Sequence, residues 1–328
     1  MNILFAIQGT GNGHISRARE IVPLLQQYGD VDLLISGTQA DVQLDQPVNY
    51  RFHGFSFIFG KKGGVDHWQT YKNMRLSRLL RDVRSLPLKK YQLIINDYEP
   101  VTAWACRLQG RHSVALSHQS SFLSPKTPRP QKSSPVTELL FKYYAPTTQR
   151  IGFHFERYDD FIHTPVIRSE IRNTEPEDKG HITVYLPAFD DKLLVKYFRQ
   201  IPGVQWHVFS KHSRTAYTDA NVWVRPVNNM EFNASLASCY GLFTGGGFEG
   251  PAEALYLKKK VLVFPMRFQY EQLCNAEAIS RLGVPVIYQI DDEFVPKLKQ
   301  WIDSPHRVAV HFPDETAQII RNLVEDNT

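Results

Sequence analysis

Residues 239–276, CYGLFTGGGFEGPAEALYLKKKVLVFPMRFQYEQLCNA, constrain the fold more than any other part of the chain. An apolar run over 240–243 stops at Thr244 and three glycines, Gly245, Gly246 and Gly247. A helical pattern follows, with Ala252, Leu255 and Leu257 among its apolar positions. A second apolar run, 261–264, ends at Pro265, and another helix is expected from about Gln269. Strand, glycine turn, helix, strand, helix is one βαβα unit of a parallel sheet. Glycines between a strand end and a helix N-terminus let backbone amides face a ligand with no Cβ in the way. The helix N-terminus adds unpaired N–H groups and partial positive charge, which favours an anion, most often phosphate. A tight turn without a ligand has the same outline, but three consecutive glycines carry an entropy cost that a mere turn does not require.

The start of the chain has the same character. Residues 2–8 read as a buried strand that runs into Gly9-Thr10-Gly11-Asn12-Gly13-His14. A helix is expected from about Ile15, with Ala18, Ile21, Val22 and Leu25 on one face. A dinucleotide site wants GxGxxG and an acidic residue at the end of the second strand. Here the spacing is GxGxG, and the second strand, 31–35, ends in Ser36-Gly37, so a nicotinamide cofactor is not expected. No Gly-Lys-Ser/Thr follows the glycines, which excludes a P-loop. Asp30-Val31-Asp32 has the outline of a metal-binding DxD but lies at the start of an interior strand, where a structural role is expected. His14, at the start of a helix, can act as a general base or merely cap the helix.

Further strand signals over 49–59, 91–96, 112–117 and 150–155 alternate with helical patterns, as in a doubly wound sheet. Ligands of such sheets bind beyond the carboxyl ends of strands. Two of those ends carry chemistry: Asn96-Asp97-Tyr98-Glu99 and Ser117-His118-Gln119-Ser120. Asp97, Glu99 and His118 therefore join His14 as candidate bases or substrate contacts, with helix caps and solvated loop residues as the alternative for each.

The ordered set of glycine turn, Glu253-Ala254, Pro265 and Glu271-Gln272-x-x-Asn275-Ala276 resembles the donor-site signature of GT-B glycosyltransferases. The MurG-type N-acetylglucosaminyltransferases and the UDP-glycosyltransferases carry similar motifs. The resemblance implies an α/β chain of two Rossmann-like domains with a cleft between them. It makes Gly245, Gly246 and Gly247 the diphosphate turn, Glu253 the ribose ligand, and Glu271 and Gln272 the sugar readers, with Asn275 beside them. Glu271 stands where aspartate is commoner. The Gly9–His14 segment is similar to the family's acceptor-side loop, which assigns Gly11, Asn12 and Gly13 to that loop. Pro226-Val227-Asn228-Asn229-Met230 resembles the segment whose backbone reads the nucleobase, so Met230 is a donor-side candidate. Two glutamates eight apart mark many retaining relatives; the position eight before Glu253 is Gly245, so inversion is implied, with no metal and no cofactor beyond the nucleotide-sugar donor. The resemblance further implies a glycan or lipid-linked acceptor. A nucleotide-sugar 2-epimerase or a non-catalytic nucleotide-sugar sensor would share the architecture.

The resemblance also sets the expected boundaries: an acceptor domain over 1–165, a donor domain over 166–310, and a final helical segment, 311–328, packing back on the first domain. With 328 residues, each domain is large enough to bury its own core. The share of charged residues, 22%, suits a soluble globular chain. No apolar run approaches a bilayer span, and the N-terminus reads as a first strand rather than a signal peptide. Cys106, Cys239 and Cys274 are odd in number and far apart, which favours a reducing, cytoplasmic setting. Residues 61–90 are rich in Lys and Arg, with Leu76, Leu79, Leu80 and Val83 at helical spacing and Arg75, Arg78, Arg81 and Arg84 on other faces. Such a helix either touches an anionic membrane, placing the protein peripherally at its inner face, or solvates the outside of a core. No nucleic-acid recognition module accompanies the charge. Residues 121–135, rich in Ser, Pro and Lys, read as a long loop over the acceptor side.

Overall fold

A computed structural model describes residues 1–10, 12–37, 44, 46–53 and 76–328. Its first half is a seven-stranded parallel sheet in the order β3-β2-β1-β4-β5-β6-β7. The strands are β1 (Asn2–Gln8), β2 (Asp30–Ser36), β3 (Tyr50–Phe52), β4 (Leu93–Asp97), β5 (Val114–Ser117), β6 (Gln149–Phe153) and β7 (Ile162–His163). Helices α1 (Asn12–Leu25), α2 (Leu76–Ser85), α3 (Pro100–Gln109) and α4 (Pro135–Tyr143) lie between them.

A linking helix α5 (Ser169–Arg172) leads to a six-stranded sheet in the order β10-β11-β9-β8-β12-β13. Its strands are β8 (Ile182–Tyr185), β9 (Trp206–Ser210), β10 (Tyr217–Asp219), β11 (Val222–Pro226), β12 (Gly241–Thr244) and β13 (Lys260–Val263). Only β10 is antiparallel to its neighbour. The helices are α6 (Asp191–Phe198), α7 (Asn229–Ser238), α8 (Glu249–Tyr256), α9 (Tyr270–Arg281), α10 (Phe294–Asp303) and α11 (Thr316–Glu325). Both sheets are Rossmann-like.

The strands expected from periodicity are present among the described residues. The exception is 49–59, of which Tyr50–Phe52 is a strand and 54–59 lie outside the described residues. Strands β7 and β10 were not expected. Each is two or three residues long at a sheet edge, too short for a period to show. Asp32 takes hydrogen bonds from Tyr91 Oη at 2.6 Å, Lys90 Nζ at 2.7 Å and Asn49 Nδ2 at 2.8 Å, so it pins the base of the first sheet.

Strand order places a switch point in each sheet, between β1 and β4 and between β8 and β12, where the connections turn in opposite directions. Crevices open there at the carboxyl ends of the strands. The two ends face each other: Arg17 of α1 reaches Glu249 of α8, His118 after β5 reaches Asn275 of α9, and Phe5 and Ile7 of β1 share one apolar core with Phe248 and Ala252. Ile319, Ile320 and Leu323 of α11 belong to the same core. A separate core fills the other face of the second sheet around Trp206, Phe198, Phe243 and Phe294. Burying a side chain of this size stabilises the fold by about 1.5–3 kcal/mol. None of the described helices is long and apolar enough to cross a membrane.

Candidate functional site

Strand β1 delivers Gln8 to the crevice, and α1 begins at Asn12; Gly11 lies outside the described residues. The first turns of α1 point His14 and Arg17 back toward the end of β4, where Asp97 waits. His14 Nδ1 lies 2.8 Å from Asp97 Oδ1. A carboxylate can only accept, so the proton is on Nδ1 and His14 Nε2 carries the lone pair. Arg17 Nη2 lies 2.7 and 2.9 Å from the two oxygens of Asp97. Its 3.2 Å approach to His14 Nδ1 is then a packing contact, not a hydrogen bond. Arg17 Nη1 donates to Glu249 Oε1 at 2.7 Å. Burial alone would raise the Asp97 carboxyl, but the charge of Arg17 and the hydrogen bonds that Asp97 accepts from His14 and Arg17 outweigh it and hold it below the usual carboxylate range. Burial likewise opposes the charge on Arg17, and Asp97 and Glu249 more than restore it. Tyr98 follows with φ 56°, a strained backbone for a bulky residue, and turns its ring onto Tyr144 at 4.9 Å.

The remaining first-sheet candidates are accounted for differently. Glu99 is a helix cap: its two oxygens accept from Val101 N at 2.7 Å and Thr102 N at 2.6 Å, and it is fully buried. With both oxygens committed and no place on the wall of either cleft cavity, it cannot serve as base or acceptor contact, which corrects the expectation. His118 is corrected as a base, although it lines the first cavity. Its Nδ1 lies 2.8 Å from Phe153 O and its Nε2 2.9 Å from Asn275 Oδ1, and its ring stacks on Phe248 at 3.9 Å. Burial lowers its proton affinity, and only 1% of it is exposed.

On the second sheet the glycine turn divides its labour. Gly246 N donates to Gln272 Oε1 at 3.2 Å, and a Cβ on Gly246 would meet Gln272 O at 2.7 Å. Gly246 is therefore a packing glycine set against α9, not a ligand contact. A Cβ on Gly247 or Gly250 would meet nothing within 4 Å, and one on Gly245 only ordinary contacts. The N–H groups of Gly247, Phe248, Glu249 and Gly250 donate to no described group, so the open end of α8 presents free donors and the positive end of its dipole.

Glu253, on α8, is held by Arg168 through Nε–Oε1 at 2.5 Å and Nη2–Oε2 at 2.7 Å. Burial raises its carboxyl and Arg168 opposes that shift. Gln272 spends its carbonyl on Gly246 N and on Met266 N at 2.9 Å, so only its amide nitrogen remains for a ligand. Asn275 is buried, and Nδ2 donates to Gly246 O at 3.1 Å; it braces the turn instead of touching a donor. Met230 is 81% exposed and does not line the donor-side cavity, whose wall there is Val227, Asn229 and Phe232.

Two adjoining cavities occupy the cleft. The first, about 640 Å³, is lined by His14, Tyr98, His118, Gln119, Tyr144, Phe268 and Glu271 among others. Glu271 thus falls on the first-sheet side, where it accepts from Gln119 Nε2 at 3.2 Å. The second, about 660 Å³, is lined by Asn12, Arg168, Tyr185, Phe189, Gly245, Gly250 and Glu253 among others. Asn12, expected on the acceptor side, lines only this second cavity. Gly13, Gly247, Phe248, Glu249 and Gln272 border both. The loop after β5 is pinned, with Arg129 donating to Glu138 Oε1 at 2.7 Å and Lys126 pairing with Asp159 at 2.8 Å. Among the described residues, no cluster of three or more His, Cys, Asp or Glu is arranged to hold a metal ion.

Sequence reasoning passed over Arg17, Arg168 and Glu249. Arg17 had one available signal: three residues after His14, it shares that residue's helix face.

The family model described as glycosyl transferase family 1 matches residues 1–303. No curated protein matches the chain in sequence. Among solved structures, MurG of Acinetobacter baumannii superposes with a TM-score of 0.60 at 14% identity, covering 99% of each chain. UGT89C1 of Arabidopsis thaliana in complex with UDP-L-rhamnose gives 0.63 at 12% identity, over 100% of this chain and 95% of the other. The spinosyn forosaminyltransferase SpnP gives 0.58 at 16% identity, over 100% and 95%. These likenesses show the shared fold: two Rossmann-like domains in the GT-B arrangement.

Proposed function

We propose, for a chain that belongs to glycosyl transferase family 1 and is a glycosyltransferase, an inverting, metal-independent transfer of a sugar from a UDP-sugar to a hydroxyl acceptor. The observation that carries the proposal is the His14–Asp97 pair on the wall of the first cavity, where it meets the open N-terminus of α8. The donor lies in the second cavity, its diphosphate against the N–H groups of Gly247, Phe248 and Gly250, and its ribose toward Glu253. UGT89C1 of Arabidopsis thaliana, similar in fold, is known in complex with UDP and with UDP-L-rhamnose. The acceptor hydroxyl enters through the first cavity.

The acceptor oxygen attacks the anomeric carbon while the carbon–oxygen bond to the diphosphate breaks, its electron pair leaving with the diphosphate. The acceptor proton passes to His14 Nε2. Asp97 fixes the tautomer beforehand, by accepting a hydrogen bond from Nδ1–H so that the lone pair is on Nε2, and stabilises the imidazolium afterwards. Backbone donors and the helix dipole meet the charge that develops on the leaving group. A separate acceptor cavity favours transfer over a 2-epimerase, which needs no second substrate.

The acceptor is a glycan, lipid-linked at the inner face of a membrane. Support comes from α4 at the cavity rim, which exposes Val136, Leu139 and Tyr143 beside Lys132 and Lys142. Of the basic segment 61–90, residues 61–75 lie outside the described residues, and the described Arg78, Arg81 and Arg84 face solvent.

His14→Ala tests the mechanism. Turnover of a UDP-sugar should fall roughly 10²–10⁴-fold, with affinity for UDP little changed. Near-normal turnover in this variant removes His14 as the base.

A further inference from the structure

Glu249 opens α8, at the helix end where the donor diphosphate is placed. A carboxylate there suits the free helix dipole but repels an incoming anion. A side chain serving the dipole alone would point into solvent. This one is turned inward: 29% of it is exposed, Oε1 is fixed by Arg17 Nη1 at 2.7 Å, and the carboxylate lies on the Cα of Gly13 in the facing domain. A Cβ on Gly13 would come within 2.5 Å of Glu249 Oε2, so glycine is what lets the carboxylate sit there.

The charge is not needed for the scaffold. Arg17 is already neutralised by Asp97, with both carboxylate oxygens engaged. Asp97, Arg17 and Glu249 together carry a net charge of −1, and a glutamine at 249 would keep the bond to Arg17 without it. Oε2 accepts from no described group. The free oxygen belongs to a residue on the border of both cavities, together with Gly13 and Gly247, and Glu249 shares Arg17 with the His14–Asp97 pair.

We propose that Glu249 is a catalytic residue of the transfer: Oε2 accepts a hydroxyl of the migrating sugar, and its charge offsets the positive charge that grows on the anomeric centre. The assignment rests on the donor placement proposed above. A sugar whose leaving group departs with the bonding electrons becomes oxocarbenium-like, and a fixed negative charge beside it is more effective in the transition state than in the ground state. The bond to Arg17 occupies Oε1 and fixes the carboxylate in place, consistent with an electrostatic role in a single displacement.

The two effects have opposite signs, and one substitution separates them. In Glu249→Gln, UDP should bind more tightly, by about two- to fivefold, since a like charge leaves the helix end. Turnover should fall by roughly 10²-fold, as when one electrostatic contact to a transition state is removed. Calorimetry with UDP, and UDP release from UDP-glucose, UDP-galactose and UDP-N-acetylglucosamine, measure the two on the full chain. Glu249→Asp, which keeps the charge but shortens the reach, should retain more turnover than the glutamine variant. Turnover of Glu249→Gln within threefold of the parent overturns the assignment while leaving the donor site intact. Loss of UDP affinity in parallel with turnover overturns it in favour of a purely structural tie to Arg17. A parent chain that binds no UDP overturns the donor placement itself, and the assignment with it.

Discussion

Adjacent glycines in the turn before α8 should respond to substitution in opposite ways. A Cβ on Gly246 would lie 2.7 Å from Gln272 O, 2.8 Å from Gln272 Cβ and 3.0 Å from Pro265 Cβ. Two of these neighbours belong to α9 and cannot swing away. Gly246→Ala should therefore cost stability by about 1–3 kcal/mol, the usual range for overpacking. In domains of this size that lowers the melting temperature by roughly 2–4 °C per kcal/mol. Gly247 has open space where a Cβ would stand and lacks a positive φ, so Gly247→Val should leave stability within about 0.5 kcal/mol. The new side chain would occupy the mouth of the free N–H groups. Each charge-assisted hydrogen bond to a phosphate is worth about 1.5–3 kcal/mol, so the loss of one weakens UDP roughly tenfold or more. Differential scanning calorimetry and titration calorimetry with UDP read the two effects separately. If Gly247→Val binds UDP within twofold of the parent, the diphosphate is not at this turn. If Gly246→Ala melts normally, the packing account of that glycine is wrong.

Two more outcomes are expected. Glu253→Gln should weaken UDP binding, since a ribose hydroxyl then loses a charged acceptor, while Arg168→Ala should lower the melting temperature more, because it strands a buried carboxylate at a cost of about 3–5 kcal/mol; if Glu253→Gln leaves UDP affinity unchanged, the ribose lies elsewhere. Stability should also fall as pH drops from about 6.5, because burial lowers the proton affinity of His118, His154, His163, His181 and His207 in the fold, the last to about 4. The unfolded chain then binds more protons than the native one, so protonation favours unfolding across that window; a melting temperature that is flat or rising between pH 7.5 and pH 5.0 contradicts this account.

The sheets were legible because each strand is a short apolar run closed by glycine or a polar cluster. Apolar β1 and its glycines suffice to place α1, and Thr244 with the glycines suffices to place α8. The roles within the turns were less legible. Three glycines look alike in a sequence, yet Gly246 faces α9 at contact distance while Gly247 faces a cavity, a difference set by a helix some twenty-five residues later. Glu99 and His118 have the composition of catalytic residues, but one is spent on two amides and the other on a carbonyl and Asn275. Burial and partner choice decide such roles, and both are tertiary properties.

Arg17 shows why the proposed reaction centre needs both domains. Its guanidinium is a planar fork, so one nitrogen can span both oxygens of Asp97 while the other reaches Glu249 at the start of α8. A lysine offers a single point charge without two separate nitrogens in a fixed plane, so it could not reproduce this fork. Separating the domains would remove Glu249 from Arg17 and open the border between the cavities. The basic His14–Asp97 pair would remain intact on the first sheet, but without the helix end and carboxylate that face it. On the proposed reading, base, leaving-group donors and junction carboxylate come together only where the two domains meet, and the fully buried Arg17 is the group that joins them there.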